Sequence, residues 1–284
     1  MVMPIFARAH DLHAFLATWR MRGQRIALVP TLGNLHAGHY SLVTLAREHA
    51  DVVVASVFVN PTQFGPNEDF ARYPRTPDAD AAGLAASGCD ALFMPAVEEI
   101  YPYGAANTVR VSVPGFDVLE AAVRPGHFDG VATVVAKLFN LVRPDVAVFG
   151  RKDYQQLLVI RRLTRDLAYP IEIVDAPTLR EANGLAMSSR NQYLDAEQRQ
   201  RAAVIHATLQ SMRESVRAGA QKLAAIESEA ETSLRRAGFQ PDYAVIRRAD
   251  DLGVPAEGEA GNLIGLIAAR LGSTRLIDNF LLTE

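Results

Sequence analysis

The run Pro30-Thr31-Leu32-Gly33-Asn34-Leu35-His36-Ala37-Gly38-His39 sets two imidazoles around a glycine, at the point where an apolar strand gives way to a helix. Ile26-Ala27-Leu28-Val29 is a short β-forming run, and Pro30, with no N–H for a ladder, predicts its end. Leu42, Leu45 and Ala46 then recur at helical spacing. Gly33 and Gly38 let the backbone approach a ligand, and a helix starting here offers unpaired N–H groups and a positive dipole end. Such a place suits a phosphate. His36 and His39, three apart on the first turn, share a face and can donate to the same oxygens. An ordinary tight strand-to-helix connection accounts for the glycines, and a cap accounts for one histidine. Packing does not account for two that converge.

Four more segments carry groups of the same kind. Phe58-Val59-Asn60-Pro61-Thr62-Gln63-Phe64 follows a second strand, and Asn60 and Gln63 can recognise a hydroxyl and a carboxylate without charge; Asn-Pro is also common turn chemistry. Val148-Phe149-Gly150-Arg151-Lys152-Asp153-Tyr154-Gln155-Gln156 again joins strand to helix through glycine. Lys152 can neutralise a triphosphate, Asp153 can accept from a ribose hydroxyl, and Gln156 can face substrate; a helix cap and a solvated lysine are the plainer alternative. Met187-Ser188-Ser189-Arg190-Asn191 offers hydroxyls and a guanidinium fork to phosphate oxygens, or simply a polar turn. Arg124-Pro125-Gly126-His127-Phe128 adds positive charge or recognises a carboxylate, unless it is a surface turn.

The elements that must hold these loops alternate as strand and helix up to about residue 177. Strands are expected at Ile26–Val29, Val52–Val59, Ala91–Met94, Val146–Phe149 and Ile171–Val174, with helices near 38–49, 78–87, 129–142 and 153–167. Positions 131, 134, 135, 138, 141 and 142 form one apolar stripe. Strands apolar throughout, such as that beginning Val52-Val53-Val54-Ala55, fit a parallel sheet covered on both faces. A doubly wound, Rossmann-like α/β domain over 1–177 follows. Beyond Ala176-Pro177 two helical patterns, near 195–217 and 220–237, precede strands at Tyr243–Arg247, Leu263–Ala269 and Thr274–Asn279. This order predicts a smaller α+β domain over 178–284. Asp195, with Gln198 three residues on, marks a capped helix start. Loops at the junction would lie between the domains, where pockets commonly form.

Composition narrows the function classes. The 284 residues are 49% hydrophobic and 21% charged, and the net charge of −3 leaves no broad basic surface for nucleic acid. No stretch is apolar enough to span a membrane, and Met1-Val2-Met3-Pro4 is not followed by the pattern of a secretion signal, which points to the cytoplasm. The single cysteine, Cys89, excludes an internal disulfide and a multi-cysteine zinc site, and its turn-to-strand setting reads as a buried structural thiol.

His36-Ala37-Gly38-His39 resembles the HIGH signature of adenylate-forming enzymes and nucleotidyltransferases, which act at the α-phosphate of ATP. With Tyr73-Pro74-Arg75-Thr76 and the tail Arg275-Leu276-Ile277-Asp278-Asn279, the segments together resemble the pantoate-β-alanine ligase family over essentially the whole chain. The resemblance implies ATP-dependent condensation of pantoate with β-alanine to pantothenate, AMP and pyrophosphate through a pantoyl-adenylate, in a homodimer that uses Mg2+. It gives the electrostatic role to His36, His39, Lys152, Ser188, Ser189 and Arg190. It extends ATP contacts over Leu32, Gly33, Asn34, Leu35, Ala37 and Gly38, over Gly150, Arg151 and Asp153, and to Leu179 and Met187. It gives the pantoate and β-alanine subsites to Gln63, Gln156, Asn60, Arg124 and His127, and leaves Asp80 as a metal-side carboxylate or a solvated helix-start acid. Leu32 stands where the family commonly has Met, and Arg151 where it commonly has an acidic or neutral residue. Two other classes stay open on the histidines alone: a transferase that leaves the adenylyl group on its product, and a nucleotide-binding regulatory module without turnover.

Overall fold

Runs of β-branched residues with no polar alternation form the centre of a sheet. In the computed structural model, which describes residues 2–65, 70–219 and 222–283, six strands pair in parallel. They are β1 (Ile5–Phe6), β2 (Ile26–Thr31), β3 (Val52–Val57), β4 (Ala91–Phe93), β5 (Val146–Gly150) and β6 (Glu172–Ala176). Their order is β1-β4-β3-β2-β5-β6. Every residue of β3 is buried, as a parallel strand covered on both faces requires. The chain proceeds from β2 outward through β3 and β4, then returns to place β5 on the other side of β2. The carboxyl ends of β2 and β5 therefore define the switch point at which such sheets bind ligands.

Pro30 does not end its strand, contrary to the sequence expectation: β2 runs on to Thr31, with Pro30 opposite Ser56. Pairing with β5 registers only Ala27 and Leu28, so beyond Leu28 the strand has one neighbour and tolerates a residue without an N–H. The helices of this part are α1 (Ala9–Arg20), α2 (Ala37–His49), α3 (Pro77–Ala86), α4 (Val97–Ile100), α5 (Glu120–Val123), α6 (His127–Val142) and α7 (Tyr154–Asp166). Strand β1 and helix α1 are absent from the sequence expectation; β1 has only two residues, and α1 buries just Ala9, Leu12 and Leu16. Helix α6 buries far more than one stripe, including Gly130, Ala132, Thr133 and Ala136.

By its internal contacts the chain divides into two units, one of Met1–Gly150 with Gln156–Ala176 and one of Arg151–Gln155 with Pro177–Glu284. The second has an antiparallel sheet of β7 (Gln240–Arg248), β8 (Leu263–Leu271) and β9 (Thr274–Leu281), in that order. It also has the helices α8 (Ala196–Ala202), α9 (Val204–Ala218) and α10 (Leu223–Arg236). Ile205, Leu209 and Met212 on α9 and Ile226, Ala230 and Leu234 on α10 recur at helical spacing and enter one apolar core with β8. Asp195 caps α8 in a reciprocal box, its carboxylate accepting from Gln198 N at 2.8 Å. The single long helix expected over 195–217 is two, broken at Ala203, whose ψ of −20° is that of a tighter turn. No helix among the described residues is long and apolar enough to cross a membrane.

Cys89 is buried and donates to Ala91 O at 3.1 Å, and burial pushes its thiol up to about 11. At pH 8 only about one molecule in a thousand would carry the reactive thiolate even if a reagent reached it. The native protein is expected to show no titratable thiol with an aromatic disulfide reagent, and one thiol after denaturation. Rapid reaction of the native protein would contradict the packing around β4.

Candidate active site

The turn after β2 is built on two successive residues of positive φ, Gly33 at 90° and Asn34 at 52°. A Cβ at position 33 would come within 3.1 Å of Val57 Cγ1 and 3.2 Å of Asp80 Oδ2, so glycine is needed for space as well as conformation. This backbone turns the N–H groups of Asn34 and Leu35 toward the Asp80 carboxylate, which accepts from them at 2.9 and 2.8 Å. Thr76 Oγ1 donates to the same carboxylate at 3.0 Å. Asp80 is 2% exposed, which overturns the solvated-acid expectation. Three donors occupy its two oxygens, so the carboxylate serves the turn and is not carried forward as a metal ligand.

The two histidines cap α2 with each other. Gly38 N donates to His36 Nδ1 at 3.1 Å, and His36 N donates to His39 Nδ1 at 3.3 Å, a capping box made of imidazoles. A neutral imidazole that accepts at Nδ1 carries its proton on Nε2. Both rings therefore hold an N–H at the end away from the backbone, and their centroids are 4.1 Å apart. The backbone N–H groups expected to meet a phosphate are largely taken by Asp80 and His36.

The second loop forms a platform under one amide. Asn60 is fully buried; its Nδ2 donates to Gln63 Oε1 at 3.0 Å and Gly130 O at 3.1 Å. Its Oδ1 accepts from Thr62 N, Thr62 Oγ1 and Tyr101 Oη. The hydrogen-bonding capacity of Asn60 is thus spent inside the protein, which corrects the expectation of direct substrate contact. Gln63, with Oε1 occupied by Asn60, is left with its Nε2 as the donor. Arg124 Nη1 lies 3.0 Å from His127 Nε2, and His127 Nδ1 lies 2.8 Å from Gln63 O. Arg124 Nη2 also donates to Gln63 O at 3.5 Å, so in these contacts both side chains hold the Gln63 backbone. Gly130 admits the loop: a Cβ there would sit 2.2 Å from Thr62 O. Gln156 is half-buried at the start of α7 in the first unit.

In the second unit, Lys152 and Asp153 follow Gly150 in a single tight turn, with Lys152 Nζ 3.7 Å from Asp153 Oδ1. The Ser188–Arg190 segment follows a small hairpin in which Arg180 bridges Ala186 and Met187 N donates to Leu179 O at 2.9 Å. Ser188 Oγ accepts from Arg190 N at 3.2 Å, so its O–H remains the donor for a ligand. Ser189 is half-buried, while Arg190 and Leu179 are exposed. Lys152, Ser188 and Arg190 line one cavity together with Asn191, His206 and Asp278.

Sequence reasoning missed two of the groups that hold these loops, Tyr101 in the first unit and Arg180 in the second; Thr76 and Asn191 stood within quoted segments but without a role. The tail Asp278-Asn279 entered only by likeness, although its signal was present. Two polar residues inside Leu276-Ile277-Asp278-Asn279-Phe280-Leu281 are costly in a buried strand unless paired.

A parallel sheet with its switch point beside a histidine-capped helix defines a nucleotide-binding enzyme of the doubly wound class. Comparison with known proteins narrows it. The profile of a family described as pantoate-beta-alanine ligase matches residues 4–281. The pantothenate synthetase of Xanthomonas oryzae pv. oryzae (strain MAFF 311018) is 61% identical over 269 residues, spanning 94% of this chain and 95% of that protein. The crystal structure of pantothenate synthetase from Thermus thermophilus superposes with a TM-score of 0.91 at 47% identity, covering 99% of this chain and 100% of that one. The Francisella tularensis pantoate-beta-alanine ligase, crystallised with beta-gamma ATP and beta-alanine, gives a TM-score of 0.81 at 34% identity, covering 99% and 98%. This chain belongs to the pantoate-β-alanine ligase family, whose members are ligases that form an amide bond.

Asp80→Asn keeps the shape of the side chain but replaces one acceptor oxygen by an amide, leaving a donor of the turn unpaired. A loss of about 1 to 3 kcal/mol is expected from one orphaned buried N–H. Thermal unfolding measures it, and a melting temperature equal to that of the unmodified protein would show that the turn does not depend on this carboxylate.

Proposed function

We propose that this chain condenses pantoate with β-alanine at the expense of ATP, releasing pantothenate, AMP and pyrophosphate through a pantoyl-adenylate. The observation that carries the mechanism is the imidazole pair at the switch point, the two rings side by side and each accepting a backbone N–H at Nδ1. Membership of the ligase family supports the substrates.

In the first step a pantoate carboxylate oxygen bonds to the α-phosphorus while the bond to the β-phosphate oxygen breaks. Negative charge grows on the non-bridging oxygens and on the departing pyrophosphate. His36 and His39 donate to that charge. Lys152, Ser188, Ser189 and Arg190 supply further donors and positive charge; this is positioning and electrostatic stabilisation without covalent catalysis by the protein. Gln63 Nε2 and Gln156 hold pantoate, whose hydroxyl and carboxylate suit amide partners. Asn60, Arg124 and His127 act through Gln63. In the second step the β-alanine nitrogen bonds to the acyl carbon, the acyl–phosphate oxygen bond breaks, AMP departs and a proton is released. Until then the mixed anhydride needs shelter from water.

Among the described residues no group of three or more His, Cys, Asp or Glu is placed to hold a metal ion. Magnesium enters this reading as the counter-ion of the ATP phosphates, its usual place in such enzymes. The same reading, through the family resemblance, carries a homodimer and a cytoplasmic location.

ATP and pantoate together are expected to give a burst of pyrophosphate of about one equivalent per site, with turnover only once β-alanine is added. Rapid-quench measurement decides it: no pyrophosphate before β-alanine would refute the adenylate, and a stable adenylylated product in place of free AMP would make the enzyme a transferase. His39→Ala is expected to slow the burst by about 10²-fold, the effect of losing one preorganised donor to a developing oxyanion. ATP binding by titration calorimetry should change far less. Near-normal single-turnover adenylation by this variant would remove His39 from the role.

A further inference from the structure

We infer that Asp278 and Asn279, neighbours on β9, are positioning residues that set Lys152 against the Ser188–Arg190 loop. What those two pieces contact rests on the adenylate reading above; that the tail holds both of them is read from the contacts within the second unit.

Successive residues of a strand project to opposite faces, so an adjacent polar pair can grip two different segments. Asn279 is 7% exposed, and its Nδ2 donates to Arg151 O at 2.9 Å and to Lys152 O at 2.8 Å. Both hydrogens of one amide thus hold consecutive carbonyls of the turn that carries Lys152. A grip at two points fixes orientation as well as distance. Asp278 is 5% exposed, and its two oxygens take Arg180 Nη1 at 2.6 Å and Nη2 at 3.1 Å. Asp278 Oδ1 also accepts from Asn279 N at 2.8 Å, which ties the two grips together. Arg180 passes the constraint on by donating to Gly184 O at 3.2 Å, inside the hairpin that leads to Ser188. Asn191 closes the far side of the loop, its Nδ2 donating to Glu181 Oε1 at 2.9 Å and Ala186 O at 3.0 Å.

Lys152 and the Ser188–Arg190 segment are well separated in sequence, yet each is one contact, or one short relay, from the same two residues of β9. A buried ion pair contributes little net stability compared with apolar packing, and an apolar strand could fill these positions. An apolar residue could not hold the two carbonyls of a turn or the guanidinium behind a loop. The shared cavity gives the result of the arrangement, because Lys152, Ser188, Arg190 and Asp278 all border it.

The test is a double-mutant cycle of Asn279→Ala with Lys152→Ala, read as AMP formation from ATP, pantoate and β-alanine. Asn279→Ala is expected to lower kcat by about 10- to 100-fold while the KM for β-alanine stays within about twofold; combined with Lys152→Ala it should add almost nothing, because its effect acts through Lys152. Multiplying effects in the double variant, or an unchanged kcat in the single one, would overturn the inference. Asp278→Asn, which weakens the hold on Arg180, should likewise lower kcat but remain additive with Lys152→Ala. If Asn279→Ala fails to fold by circular dichroism, Asn279→Ser keeps one donor and carries the same cycle with a smaller expected loss. Failure of the unmodified enzyme to form AMP from the three substrates would count against the adenylate reading alone. In that case the cycle is read as ATP affinity by titration, where the same non-additivity is expected and additivity again overturns the inference.

Discussion

A protein carboxylate fills the anion-binding turn of the first unit. Gly33 and Asn34 adopt left-handed backbone and aim successive N–H groups at a single point, an arrangement that elsewhere cradles phosphate. Here Asp80, contributed by α3, takes that point. The turn is thereby completed without any ligand, and its geometry is set before substrate arrives. Burial of this charge is supported by three donors, as a buried ionised group requires. Burial, together with the same charge, pushes the Tyr40 phenol above its ordinary range, so Tyr40 stays protonated beside it. The preorganised turn delivers the chain to α2 at an angle that lets His36 and His39 cap the helix and each other. Both imidazoles are thereby held at Nδ1 by backbone N–H groups before any ligand binds.

The Gln63 loop follows the same logic with uncharged groups. A glutamine at a loop tip would lose rotamer entropy on binding, which an amide in the wrong orientation would not recover. Asn60 removes that freedom by donating to Oε1, and Tyr101 and Thr62 in turn hold Asn60. The cost is a strict packing requirement at Gly130, where the loop backbone lies against α6.

The alternation of apolar strands and amphipathic helices was legible in the sequence, because a buried parallel strand reads as a continuous β-branched run. So was the location of every loop discussed here, since glycine, proline and clustered polar residues punctuate strand ends. The limits of legibility are physical. Strand β1 is too short for a pattern, and α1 buries too few residues. Pro30 breaks a local rule that its one-sided pairing relaxes. The partition of labour within the loops was also invisible: Asn60, Asp80, Arg124 and His127 have the chemistry of ligand groups, and only three-dimensional contact shows them turned toward their own chain.

Those supporting residues share a property that bears on how such sites tolerate change. Several hold backbone atoms of a segment far away in sequence, Asp80 the turn at 34–35 and His127 the carbonyl of Gln63, as Asn279 holds the carbonyls of Arg151 and Lys152. A contact of this kind fixes where a functional side chain starts, not what it is. Loss of the support leaves the charge and the donor present but displaced, and displacement harms the transition state more than the ground state, because reacting atoms demand alignment that simple binding does not. Polar burial in this protein is therefore best understood as positional: its net contribution to stability is modest, and what it sets is the geometry of the loops.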